Sequence, residues 1–175
     1  MSVEEITRAT IALVVLTAAL AGCGYHFKGM GLKAPEGVRT IGITVLENRT
    51  SESGIETVFT SDLAYEFTRS KVLRVVGKDS ADAVLSGRVA SLTVDTISHT
   101  ASYESDERRV TITLDLALER TDGKVIWSDS ALSDKEAFRV DPSDRLETDN
   151  KRREAIETIS ERLAEKIHNR ILQGF

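Results

Sequence analysis

From Val110 to Glu119 the residues Val110, Ile112, Leu114, Leu116 and Leu118 occupy every second position, with Thr111, Thr113, Asp115 and Glu119 between them. Successive side chains of a strand point to opposite faces, so this alternation describes a strand with one buried and one solvated face. Such a strand requires partners along its edges and a second layer over its apolar side. The carboxy-terminal segment can supply that layer. Ile156, Ile159, Leu163, Ile167 and Ile171 fall at steps of three, four, four and four, with Glu157, Glu161, Arg162, Glu165 and Lys166 around them. This is the stripe of a long amphipathic helix. Two signals mark its start: Asp141-Pro142 fits a cap followed by a first-turn proline, and Asp149-Asn150 lies just before the periodic part.

The remaining elements fit around these two. Between Arg39 and Glu47, Ile41, Ile43 and Val45 alternate with Thr40, Gly42 and Thr44, which predicts a first strand with those three aliphatics inward. Ser53 followed by Glu56 has the form of a capping box. The helix it opens would bury Ile55, Val58, Phe59, Leu63 and Phe67 and turn Asp62, Glu66 and Arg69 largely to solvent. Val72 to Val76 reads as a short second strand ending at Gly77. Leu85, Gly87 and Val89 then keep odd parity, whereas Leu92, Val94 and Thr96 keep even parity. One extra residue near Ala90-Ser91 would restore the buried face, which is the work of a β-bulge. Thr121-Asp122-Gly123-Lys124 supplies a tight hairpin turn, and Val125 to Ser130, with Trp127, returns beside the longest strand. The expectation is an α+β fold: two helices packed on one face of a mixed, mostly antiparallel four- to five-stranded sheet.

Ahead of this domain, Arg8 precedes a mainly apolar run from Ala9 to Leu20 that ends in Leu20-Ala21-Gly22-Cys23. Spanning a membrane takes about 20 apolar residues, whereas a run of roughly 7 to 15 followed by small residues is a secretory signal. Residues 1–22 are therefore expected to be a cleaved signal peptide, 23–38 a tether and 39–175 one domain. The Leu-Ala-Gly-Cys tetrad resembles the lipobox of bacterial lipoproteins. That likeness implies an S-diacylglycerol and an N-acyl group on Cys23, and Gly24 rather than Asp after it implies the outer membrane, periplasmic side. The other reading of Cys23 is a free cysteine closing a membrane helix, and Glu4 and Glu5 depart from a positively charged leader.

Cys23 is the only cysteine, so no intramolecular disulfide can form and the domain must hold by packing. A formal charge of −5 argues against a nucleic-acid binder. His26, His99 and His168 are far apart and no zinc-ligand spacing occurs. No Gly-x-Ser-x-Gly elbow is present, and helical and strand spacing places most carboxylates on solvated faces. These observations point to no catalytic residue, no metal and no cofactor beyond the lipid on Cys23. The basic residues form one candidate binding set. Arg108 and Arg109 open the longest strand, while Arg139 and Arg145 lie near the far end of its partner and the following loop. Guanidinium forks suit phosphate; the plainer reading is solvated charge beside Asp106, Glu107 and Asp144.

Cys23-Gly24-Tyr25-His26-Phe27 resembles the start of mature LptE-type lipopolysaccharide-assembly lipoproteins. The likeness continues in order through Ile41-Gly42-Ile43-Thr44-Val45 with Asn48 and Thr50, Gly54-Ile55-Glu56, Ala81 to Gly87, Gly123 to Trp127, and the charged helix from about Arg153. It implies two helices on a four-stranded sheet and a non-enzymatic role as a plug within an LptD-type outer-membrane β-barrel. It also implies binding of lipopolysaccharide during its insertion into the outer leaflet, for which Arg108, Arg109, Arg139 and Arg145 are the candidates. A CsgG-like or LpoB-like periplasmic lipoprotein, an export-pore subunit or cell-wall synthase activator, is the second reading. It would require further α/β elements after the second strand where this chain has a long meander.

Overall fold

The computed structural model of the protein describes residues 32–98 and 106–173. The chain forms β1 (Thr40–Ile43), β2 (Glu47–Asn48), α1 (Ile55–Ser70), β3 (Arg74–Val75), a 3₁₀ turn over Lys78–Ser80, β4 (Ala83–Ser98), β5 (Asp106–Arg120), β6 (Val125–Val140) and α2 (Arg145–Gln173). The six strands form one mixed sheet in the order β3-β1-β4-β5-β6, with β2 also paired to β4. β1 runs parallel to both β3 and β4, whereas β4, β5 and β6 form a long antiparallel meander. This is the α+β architecture expected, with one strand more than the expected four to five because the first strand is broken in two.

The strongest periodicities set the core. Val110, Ile112, Leu114 and Leu118 are fully buried and Leu116 nearly so, beneath Ile159, Leu163, Ile167 and Ile171 of α2 and Ile55, Phe59, Leu63 and Phe67 of α1. Both helices carry their apolar stripes to this one cluster. The bulge expected near Ala90 is present as a register shift between Val89 and Ser91, so Leu92 returns to the core side opposite Ile112. Beyond it cover runs out: Val94 is 40 % exposed and Thr96 is exposed as well.

Several local expectations are corrected. Val45 does not face inward but is 68 % exposed, and Leu46 is buried in its place. The strand stops at Ile43, Thr44 N–H donates to Leu85 O, and Leu46 N–H is taken by Thr60 Oγ1 of α1 at 3.2 Å. The chain thus leaves the sheet for the helix and its parity resets. The capping box is absent, because α1 begins after Gly54, which adopts φ +86 and gives no side-chain cap. Glu56 instead accepts from Asn48 Nδ2 at 2.9 Å. Glu66 is mostly buried, held by Arg69 at 2.8 Å, rather than turned to solvent. β3 covers two residues, not the five of Val72 to Val76. β6 continues ten residues past Ser130, the expected end, to Val140. α2 starts between the two marked positions, where Asp144 Oδ1 accepts from Glu147 N–H at 3.0 Å.

Candidate functional site: the far end of the meander

β6 returns along β5 toward the sheet end where β5 begins, and α2 folds back over it. Arg162 of α2 meets Asp134 and Glu136, and Arg170 further along meets Asp129. The carboxy-terminal end of α2 therefore lies with the Thr121–Lys124 turn, and its amino-terminal end lies with the start of β5. Lys33 N–H donates to Leu172 O at 3.0 Å, so the chain enters the domain beside the end of α2. The four candidate arginines sit at the opposite end. With about 3.3 Å per strand residue, the length of β5 separates the two ends by roughly 45 Å.

Register decides which arginines share a face. Arg108 pairs with Phe138 and Arg109 with Ala137, while Arg139 pairs with Glu107. As consecutive strand residues, Arg108 and Arg109 point to opposite faces. Arg108 shares the helix-side face with buried Phe138. Arg109 and Arg139 share the outer face as diagonal neighbours, roughly 7–8 Å apart at the backbone. Arg145, in the first turn of α2, is exposed at the same end of the domain. The set is thus an outer pair, one helix-side residue and one helix-terminal residue.

A fifth cation completes the outer face. Lys135 pairs with Thr111 and is the diagonal neighbour of Arg109 on the side away from Arg139. Asp95 lies directly opposite Arg109 across β4, and Glu107 directly opposite Arg139. Three cations therefore interleave with two carboxylates on a polar surface floored by Thr111, Thr113 and Ala137. Lys135 was hidden to pattern reading, because its segment carries Asp134 and Glu136 on the parity that Leu132, Phe138 and Val140 bury.

A second concavity lies at mid-sheet on the outer face. Glu47, Ser86, Arg88, Asp115, Ser128 and Ser130 surround an open groove of about 400 Å3. Asp115 sits at its centre, accepting from Ala131 N–H at 3.0 Å and from Arg88 Nε and Nη2 at 2.9 and 2.7 Å. The Ala131 amide and then the Arg88 guanidinium hold its carboxyl below the usual carboxylate range. With Arg88 already committed to Asp115, the groove reads as the surface of a bend in the sheet.

The motif residues fall into structural contacts. Asn48 Nδ2 donates to Glu52 O and Glu56 Oε2, and Asn48 Oδ1 accepts from Thr50 N–H and Oγ1. Arg152 of α2 pairs with Glu52 of this knot. Asp82 Oδ2 accepts from the N–H groups of Arg39 and Thr40 at 2.8 and 2.9 Å, which lowers its pKa. His168 is 4 % exposed, and its ring forms a T-shaped pair with Phe67 at a centroid distance of 5.1 Å. Among the described residues no cluster of three or more His, Cys, Asp or Glu side chains is placed to hold a metal ion. Cys23, the signal segment, His26, His99 and the loop residue Tyr103 lie outside the described residues.

Three solved structures share the fold. A minor lipoprotein from Acinetobacter baumannii is 16 % identical, with a TM-score of 0.50 over 78 % of this chain and 93 % of that one. Lipoprotein B from Nitrosomonas europaea is 15 % identical, with a TM-score of 0.51 over 85 % and 90 %. A protein from Xanthomonas campestris is 12 % identical, with a TM-score of 0.56 over 81 % and 90 %. No curated protein matches the sequence. The sequence model of the LptE family, described as lipopolysaccharide-assembly, matches residues 38–171.

Proposed function

This chain belongs to the LptE family of lipopolysaccharide-assembly proteins, and from that premise we propose that it is a non-enzymatic lipoprotein of the outer-membrane lipopolysaccharide-assembly machinery. It is anchored through lipid on Cys23, partners an LptD-type β-barrel as its plug, and binds lipopolysaccharide during insertion. The observation that carries this reading is the family match across almost the whole α+β domain. The surface is in keeping with it. Barrel interiors are polar, and the outer face of the meander interleaves Lys135, Arg109 and Arg139 with Asp95 and Glu107. Within the ligand-binding part of the reading, Arg109 and Arg139 form the pair best placed to grip a phosphate together, with Arg108 and Arg145 at the margins.

A photocrosslinker at Asp144, exposed in the turn before α2, tests the partnership in cells. Capture of a large β-barrel is expected; capture of cell-wall synthases or of identical subunits alone would overturn it. Cys23→Ala tests the anchor separately. The variant should accumulate as unprocessed precursor and take up no palmitate analogue, and an unlabelled wild type would remove the lipid from the proposal.

A further inference from the structure

Among the described residues β6 forms one whole edge of the sheet, while the opposite edge is shared by the two-residue strands β3 and β2 and by the second half of β4, which pairs only with β5. A long open edge presents unpaired N–H and C=O groups and is a template for pairing with another chain. The bulge at Ala131 breaks the edge, leaving a regular stretch from Leu132 to Val140 of roughly 30 Å. Near its middle, both main-chain groups of Lys135 are occupied by side chains. Lys135 N–H donates to Asp134 Oδ1 at 2.8 Å, and Lys135 O accepts from Arg162 Nη2 at 3.0 Å. In an antiparallel ladder a residue turns both groups the same way, so these two bonds cover the open side of β6 at Lys135, in the middle of the regular stretch. The same Arg162 donates through Nε to Asp134 Oδ2 and through Nη1 to Glu136 Oε2, each at 2.7 Å. Asp134 and Arg162 thereby close a ring around the main chain of Lys135.

We propose that Asp134 and Arg162 form an edge guard that keeps β6 from adding the β6 of a second copy of this chain. A second copy is the occupant argued for because it carries a matching regular edge of the same length. Arg170 supplies an internal control. It joins the same helix to the same strand but engages only the side chain of Asp129, so its loss removes an ion pair and leaves the edge covered.

The test compares the full chain, purified in detergent, as wild type, Arg162→Ala, Asp134→Ala/Arg162→Ala and Arg170→Ala. Sedimentation reports the associated fraction, and far-UV circular dichroism with denaturant midpoints reports folding. Association is expected to rise at least severalfold in Arg162→Ala and further in the double variant, with Arg170→Ala sedimenting as wild type. Equal sedimentation of all four chains overturns the proposal, as does association of Arg170→Ala to the same extent as Arg162→Ala, which would mark a general consequence of loosening α2. Should the double variant fail to fold, Asp134→Asn/Arg162→Ala takes its place, since the amide oxygen of Asn can still receive Lys135 N–H while the charge is lost. That chain should associate no less than Arg162→Ala, and wild-type sedimentation would again overturn the guard.

Discussion

Asp115 on β5 accepts a hydrogen bond of 3.0 Å from the main-chain N–H of Ala131 on β6, a non-glycine residue held at φ +67. The bond sits where β6 gains one extra residue between Asp129 and Leu132, so the carboxylate receives an N–H that the bulge takes out of the ladder. Its other oxygen takes Arg88 of β4. One side chain thus ties three strands at the level where two of them are irregular. Asp115→Ala should cost about 1 kcal/mol, since the bonds are exposed and water can take up the freed amide and guanidinium. Denaturant midpoints measure it, and an unchanged midpoint would mean the bulge holds without its carboxylate.

Gly87 lies against the same place. A Cβ built there would come 2.1 Å from Asp115 O and 2.8 Å from Leu116 Cα, at φ +156. Since main chain cannot yield as a flexible side chain does, Gly87→Ala should destabilise more than Asp115→Ala and disturb the β4–β5 register. Comparison of the two midpoints checks the ranking, and amide exchange along Ser86 to Arg88 locates the damage.

What could be read in the sequence follows from where burial alone dictates the pattern. Val110 to Leu118 and Ile156 to Ile171 bury one face along their whole length, so their periods predicted the core. The slip at Ala90 was visible because aliphatic residues on both sides of it declared their parity. Elsewhere a tertiary partner overrode the local signal. Thr60 took the N–H of Leu46 and left Val45 outside, and Asn48 drew Glu56 away from the expected cap. Beyond Ser130 the pattern failed for two reasons. The bulge at Ala131 reset parity, and Asp134 and Glu136 occupy inward parity because Arg162 meets them there. The four arginines were legible as residues at one end of the fold. Their division between two faces depends on alternation along β5 and on the register with β6.

Leu114 is fully buried at the centre of β5, opposite Leu132 and Val89. Leu114→Ala should cost about 2 to 5 kcal/mol through lost transfer energy and the cavity left behind. A loss below about half a kcal/mol would contradict its place under the helices.

His168 should make the domain sensitive to mild acid. Burial lowers its pKa below 6.5, opposed by smaller influences from Asn169, Glu66 and Glu165 and reinforced by a small one from Arg69. Its Nε2 has no hydrogen-bond partner among the described residues. A base whose folded pKa is depressed binds protons more readily when unfolded. Stability is therefore full above about pH 6.5 and falls as pH drops toward the folded pKa. His168→Gln should flatten the slope between roughly pH 7 and pH 5. A residual fall at more acid pH is expected from Asp82 and Asp115, whose lowered values place their losses below about pH 4. An unchanged slope in the variant would assign the acid response to other groups.

The faces of the meander give the last prediction, which concerns lipopolysaccharide. Arg109 and Arg139 share the outer face, and Arg108 lies on the other. If the phosphates of the glycolipid meet the outer face, Arg109→Glu/Arg139→Glu should weaken binding far more than Arg108→Glu alone. Exposed ion pairs contribute up to about 1 kcal/mol each, and reversal replaces attraction with repulsion, so the double change corresponds to a loss of about tenfold or more. The effect should shrink with added salt, since exposed charges are screened over ~8 Å at physiological ionic strength. The reversals also leave Asp95 and Glu107 facing like charge across the ladder, a cost to folding of a few tenths of a kcal/mol or more. Binding is therefore compared with Arg109→Gln/Arg139→Gln, which removes the cations without that repulsion and should still weaken the complex. Equal losses from the outer pair and from Arg108 would place the ligand across the sheet end, and undiminished binding in every variant would return these arginines to ordinary solvated charge.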